Sequence, residues 1–527
     1  MSQPAHTQTD LTIIGGGLAG LTLALQVARA RPETSIAVVE RQKHPLPEAV
    51  VKVGESTVEI GSYYLSDVLE LKDHLDKAQL PKFGLRCFFG EFGDDLSRAD
   101  EIGASKLLSV PTYQIDRGVL ENFLAEEVQR HGVRFIDGSR VKGLRLDPAE
   151  GHEVTITDGE AEQTLASRWV VDAAGRASLI KHKLNLGEKN DHPGGAIWFR
   201  VNKRVNVDEW SEKREWHDRC MGTDRWLSTN HLMGPGYWVW IIPLPGDITS
   251  IGIVADASMH DLKSMSSFEG SMQWLRQNQP RCAEALEGVE PMDFKLLKKY
   301  SHNCKQVFSA DRWCLTGEAG VFGDPFYSPG SDFIGISNGF ISDLVVRELN
   351  GESVDIRVGF YEKLYQSFFS TTMEIYTDVY AGFGDSQLMA MKTVWDYAYY
   401  WGILSPLYFN NAMTDISLMA RMSPDLLEIR EVAMNMQKVF RKRAAEARVL
   451  EPKGFFVDPL KIHVLRRFNI ELDETVEGDA LAERIKQNSM DLADLAERLR
   501  VILEEDMSEA DEVERNLLGD LRERVAA

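Results

Sequence analysis

The sequence predicts an α/β chain: a Rossmann-like nucleotide-binding domain, an inserted mainly antiparallel sheet and a helical C-terminal region. Three observations predict it. A glycine-rich turn, Gly15-Gly16-Gly17-Leu18-Ala19-Gly20, lies between two apolar, β-branched runs near the N-terminus. Period-two strand patterns fill much of the stretch 185–305. From about residue 341 onward the chain reads almost wholly helical, with apolar residues at three-, four- and seven-residue spacings.

Each element has its own signature. Leu11-Thr12-Ile13-Ile14 is an apolar run of the kind a buried parallel strand needs. The glycine turn follows, then a helix over 21–30, then a second strand over 35–39 ending in Glu40. Gly15 permits the tight turn, Gly17 lets backbone approach a pyrophosphate, and Gly20 allows close helix–strand packing. With Ala19 they form a turn whose N–H groups and helix dipole suit a diphosphate. Glu40 stands where a carboxylate accepts hydrogen bonds from ribose hydroxyls. Gln114-Ile115-Asp116-Arg117 opens a helix running to about 129. The stretch 169–176 is an apolar strand ending in a turn at Gly175, and 313–320 is another strand-to-turn unit. Strands are predicted over 195–201, 237–243 and 250–254. Leu481, Ile485, Leu492, Leu495, Leu499 and Ile502 share one helical face, and 504–514 carries an acidic run. This tail reads as a packed helical subdomain with a solvated acidic end.

Composition narrows the class. The 527 residues are 43% hydrophobic and 27% charged, which describes an ordinary globular protein. Neither a run of eighteen apolar residues nor a signal-like N-terminus is found, so the expected location is cytoplasmic and no membrane partner is expected. The net charge of −22 disfavours nucleic acid as a partner. Cys87, Cys220, Cys282, Cys304 and Cys314 are scattered, which fits a reducing compartment and predicts no metal site.

Taken together, the glycine turn and the segments 114–129, 169–176 and 313–320 resemble the FAD-binding framework of the flavin monooxygenase fold, similar to the hydroxybenzoate hydroxylase group. The resemblance implies a discontinuous FAD-binding domain (1–80, 108–185 and 305–345), a substrate-side sheet domain (81–107 and 186–304) and a helical domain (346–527). It also implies cofactor contacts from Arg117, Asp172, Gly175 and Glu318. The framework usually has Asp where Glu318 stands, so the carboxylate is kept but reaches one methylene further.

Two further motifs resemble those of flavin-dependent halogenases, and the likeness covers most of residues 1–345. Trp238-Val239-Trp240-Ile241-Ile242-Pro243 reads Trp-x-Trp-x-Ile-Pro, which puts both indoles on one strand face. The stretch 322–330 looks like Phe-x-x-Pro-x-x-Ser-x-Gly. The resemblance implies that this loop passes the flavin through Pro325 and Gly330 and forms a halide site from Ser328, Pro329, Gly330 and Ser331. It implies that Trp238 and Trp240 keep substrate from the flavin by steric exclusion. It requires an active lysine, for which Lys82, ahead of the apolar strand 83–89, is the candidate. Lys52, in a stretch similar to the family's Gly-Glu-(Ala/Ser)-Thr segment, is assigned to the cofactor instead.

The activity so implied is halogenation. FADH2, oxygen and chloride or bromide make hypohalous acid, which the lysine delivers to an electron-rich arene. With no second nucleotide fingerprint, a separate flavin reductase is the expected partner. Tryptophan halogenases carry Glu before the Ser of the loop, whereas here Phe326 and Tyr327 precede Ser328. The implied substrate is an electron-rich aromatic of phenol, pyrrole or indole type, and that departure makes the chain resemble the phenol and pyrrole halogenases more closely, some of which act on carrier-tethered groups. Tyr113, Trp198, His231 and Asp332 remain unranked as substrate-side polar groups. The alternative is a flavin hydroxylase of the same fold without halogenation.

Overall fold

The computed structural model describes residues 6–47, 52, 54–446, 448 and 451–504. The acidic run after 504 lies outside them. The chain divides into two compact units. The first comprises Met1–Ala78, Ile115–Asn190 and Ser301–Ser370; the second comprises Gln79–Gln114, Asp191–Tyr300 and Thr371–Ala527. Among the described residues, no helix is long and apolar enough to cross a membrane.

In the first unit the strands run in the order Arg134–Ile136, Ile36–Val39, His6–Ile14, Glu162–Asp172, His152–Thr157, Arg140–Arg145. Strand Glu162–Asp172 is shared by two partners on one side. Its first half pairs antiparallel with His152–Thr157, and its last residues pair parallel with Trp313–Leu315. The parallel core strands are buried on both faces, which is why they read as continuous apolar runs. Helix Leu18–Ala30 is the crossover after the first strand and is almost wholly buried. Two glycines let it sit there. A Cβ at Gly15, whose φ is +110°, would lie 2.4 Å from the Ala173 carbonyl oxygen, and one at Gly20 would lie 1.9 Å from that of Gly15.

The second unit is built on a sheet ordered Lys295–Leu297, Gly194–Val201, Ile248–Asp256, Tyr237–Leu244, Thr229–Gly234, Leu85–Phe89, Asp100–Gly103, Phe456–Val457. Most pairs are antiparallel; the exceptions are Thr229–Gly234 with Leu85–Phe89 and Phe456–Val457 with Asp100–Gly103. Successive side chains alternate between faces. Phe88, Leu232, Val239, Ile241, Ile251, Ile253, Ile197 and Phe199 point to one face and form the core with Trp274 and Leu275 of helix Phe268–Asn278. The other face carries His231, Trp238, Trp240 and Trp198.

The helices Ser386–Tyr399, Ile416–Ala444, His463–Glu471 and Gly478–Glu504 belong to this second unit. Leu481, Ile485, Leu492, Leu495, Leu499 and Ile502 are all buried, so the apolar stripe read in the sequence is a packing seam. It lies against Ile416–Ala444.

An ion cluster fixes one edge of the sheet. Glu101, fully buried, receives Arg86, and Arg225 Nε at 2.8 Å; Arg219 lies 3.8 Å away. Burial opposes ionisation of Glu101, but Arg86 and Arg225 outweigh it and hold its pKa below the ordinary value. Removing the carboxylate strands two buried guanidiniums. Glu101→Ala is therefore expected to cost about 3–5 kcal/mol of stability, read as a lowered thermal midpoint, whereas an unchanged midpoint would contradict this.

Candidate functional site

In the first unit the glycine turn is surrounded by polar groups from distant segments. Glu40 accepts Gly16 N–H and Gln42 N–H, each at 2.7 Å, one per carboxylate oxygen. Each oxygen keeps a lone-pair direction for a ribose hydroxyl. Beneath Gly17 lies Glu121, whose Oε1 would be 4.0 Å from a Cβ there. Glu121 is buried and draws in two cations: Arg117 Nε lies 3.1 Å from Oε1, and Lys52 pairs with Oε2. Burial works against the charge on Glu121, and the two cations overcome it, so its pKa is depressed. The two cations against the one carboxylate of Glu121 leave that cluster net positive beside the first turn of the helix. Exposed N–H groups, a close backbone approach and that positive charge fit a flavin dinucleotide's diphosphate.

The far end of the cradle is built from two turns packed together, Gly175–Ala177 and Gly317–Ala319. A Cβ at Gly317 would come within 3.0 Å of Ala19 Cβ, which brings Glu318 to the start of the same helix. Glu318 is part-exposed and lies 3.6 Å from Arg176. Asp172 plays a different part. Its carboxylate is buried and accepts Ala174 N–H at 3.0 Å and Ile180 N–H at 2.8 Å, so it shapes the turn that carries Gly175. Burial pushes its pKa up.

The loop 322–330 enters helix Gly330–Leu349 through two consecutive left-handed residues, Tyr327 at φ 68° and Ser328 at φ 58°. Such a conformation costs non-glycine residues about 1–2 kcal/mol each, and strain of this kind gathers at functional sites. The loop holds it with two bonds: Asp324 accepts Phe326 N–H at 2.8 Å, and Ser328 N–H reaches Pro325 O at 2.9 Å. Asp332, in the first turn, accepts Gly61 N–H at 2.7 Å and pins the helix start. Pro329, Gly330 and Ser331 therefore present the positive end of a twenty-residue helix.

In the second unit Trp238 and Trp240 are both buried on one sheet face, with ring centroids 5.7 Å apart. Each indole N–H has a partner: Trp238 donates to Tyr380 OH and Trp240 to Ser250 Oγ, both at 3.1 Å. Gly252, opposite Trp240, leaves the room its ring occupies, and Trp198 lies beyond at 6.5 Å. Lys82 ends the short strand Leu80–Lys82, which pairs with Thr112–Gln114. It is only 3% exposed, and a lysine so buried is uncommon.

Four residues escaped the sequence reading: Glu121, Tyr380, Ser250 and Asn338, a buried amide whose Nδ2 donates to Ala19 O at 3.0 Å. Asn338 had a legible signal, a polar residue amid the apolar run of its helix. Tyr380 had none, because its partner stands 142 residues away.

A family model described as an FAD binding domain matches residues 8–227. The flavin-dependent halogenase chlA of Dictyostelium discoideum is 28% identical over 433 residues, covering 76% of this chain and 70% of its own. A 1H-pyrrole-2-carbonyl-[peptidyl-carrier protein] chlorinase of Pseudomonas fluorescens is 27% identical, covering 61% of this chain and 72% of its own. The chain is similar to flavin-dependent halogenases over most of its length, and these relatives support that family. The halogenase PltM, solved with phloroglucinol and FAD, shares the fold, with a TM-score of 0.68 over 93% of this chain and 98% of that chain at 15% identity. FAD is the cofactor of this chain, an oxidoreductase.

The cradle makes a quantitative prediction. Arg117→Ala or Lys52→Ala should weaken FAD binding about tenfold or more, the worth of one charge-assisted hydrogen bond, by equilibrium titration of flavin fluorescence. Unchanged affinity in both would remove these cations from the site.

Proposed function

We propose that this halogenase transfers chloride or bromide, oxidised to the level of hypohalous acid, to an electron-rich phenol, pyrrole or indole through Lys82. The observation that supports this most is a buried lysine in the unit whose sheet bears the paired indoles of Trp238 and Trp240. Bound as FADH2, the flavin supplies the reducing equivalents that let oxygen convert halide to hypohalous acid. Lys52 and Arg117 hold the diphosphate. The N–H groups of Gly330 and Ser331, flanked by Pro329 and the Ser328 hydroxyl, hold the halide, which the helix dipole favours. Trp238 and Trp240 exclude arene and bulk water from the flavin side. Lys82 donates N–H to the hypohalous oxygen, which polarises the halogen toward the arene, and the ring proton leaves as the product forms.

The substrate class rests on two supports. Phe326 and Tyr327 occupy the place of the carboxylate that tryptophan halogenases use, so the arene must be activated by its own electrons. Among relatives, one is named for pyrrole-2-carbonyl chlorination on a peptidyl-carrier protein and another for sulochrin. A carrier-tethered pyrrole or a free phenol are therefore the first substrates to test. A separate flavin reductase supplies FADH2.

The test uses the full protein with a flavin reductase, chloride or bromide, and phenol and carrier-bound pyrrole substrates. Products carrying the halogen isotope pattern are expected. Lys82→Ala should keep FAD binding and oxygen consumption yet lose halogenation by about a hundredfold or more, the scale of a lost proton donor. Parental halogenation by that variant would end the assignment of Lys82. Trp240→Ala should lower the halogenated product formed per oxygen consumed; an unchanged ratio would remove its barrier role.

A further inference from the structure

Lys82 and His231 belong to the same unit, and the backbone runs their segments side by side. Phe83 N–H donates to Leu227 O at 2.9 Å, and Thr229 N–H donates to Gly84 O at 3.0 Å. Register then places His231 beside Cys87 on one neighbouring strand and Trp240 on the other. Cross-strand partners share a face, so His231 projects from the face of the paired indoles. Its ring centroid lies 5.3 Å from that of Trp238.

Two observations fix what this imidazole can do. Its Nδ1 stands 3.0 Å from the Arg86 carbonyl oxygen, which accepts only if Nδ1 carries the proton. The lone pair is then on Nε2. Burial pushes the pKa of His231 down to about 3; the Arg86 carbonyl opposes this, and the positive charge of Lys82 adds to it. The ring is therefore neutral at any working pH, an acceptor within electrostatic reach of the Lys82 amine. Arg86 is itself immobile, held by Glu101, by Ser228 Oγ at 3.3 Å and by Ala104 O at 2.6 Å.

A buried amine that delivers halogen must present its N–H groups in one direction, and its flexible four-carbon stem does not set that direction by itself. We propose that His231 is a positioning residue for Lys82: its Nε2 lone pair accepts one hydrogen bond from the Lys82 amine and so aims the remaining N–H groups at hypohalous acid. This rests on the reading of Lys82 given above. His231 stays neutral and exchanges no proton.

Side-chain amides separate the two nitrogens. An Asn amide reaches only the Nδ1 position and can keep the bond to Arg86, whereas a Gln amide oxygen reaches the Nε2 position. In full-length protein with reductase, His231→Gln should stay within about threefold of the parental product-to-oxygen ratio, while His231→Asn and His231→Ala should fall about tenfold or more. FAD binding and oxygen consumption should persist in all three. Asn equal to or better than Gln, or Ala at the parental ratio, overturns the proposal. Nitrogen NMR of histidine-labelled protein gives a test that does not depend on those variants folding. Lys82→Met should shift the His231 Nε2 resonance toward that of an unbonded lone pair, and an unmoved resonance overturns the proposal. Parental halogenation by Lys82→Ala would instead defeat the reading of Lys82 and leave the Nε2 contact to the NMR measurement.

Discussion

The amide of Asn338 is the interaction on which the flavin-binding unit depends. Its Nδ2 lies 3.0 Å from Ala19 O, from Thr22 Oγ1 and from Tyr64 OH, and its Oδ1 accepts Thr316 Oγ1 at 2.7 Å. Counting the amide's own helix, four segments meet at one side chain with no solvent exposure. They include the fingerprint helix, the strand-to-turn unit carrying Glu318 and the helix that follows the strained loop. No water competes there, so each bond is kept, and losing the amide would leave several buried polar groups unsatisfied. The precision of the cradle thus comes from an amide outside it.

The second unit rests on the period of a strand. A two-residue repeat sends aliphatic and phenyl side chains into the core and His231, Trp238 and Trp240 to the opposite face. A one-residue slip in Tyr237–Leu244 would exchange the two sets, and every core contact opposes it. Indole hydrogen bonds to Tyr380 and Ser250 then orient the rings. The chemistry is specified by the packing that hides the other half of the same strands.

Much of this was legible in the sequence, because local rules sufficed. Gly15 and Gly20 declared the turn through positions where a Cβ cannot fit. The alternation in 237–243 declared a strand, and the spacing from Leu481 to Ile502 declared a helical seam. What stayed hidden is long-range pairing. Glu121 sits mid-helix as an ordinary acid until folding brings Lys52 and Arg117 to it, and nothing near Trp238 names Tyr380. Asp172 was legible as an acid at a strand end, but its preoccupation with its own turn was not. His231 could not be ranked from sequence, because its tautomer is set by the Arg86 carbonyl, 145 residues away.

The central claim is that oxidising equivalents from oxygen reach the arene as halogen rather than as oxygen. Product mass from turnover under oxygen-18 with chloride present tests it most directly. The account predicts a product with the chlorine isotope doublet and no heavy oxygen. A product that gains oxygen-18 and no chlorine would contradict it, and would make the chain a hydroxylase on a halogenase frame.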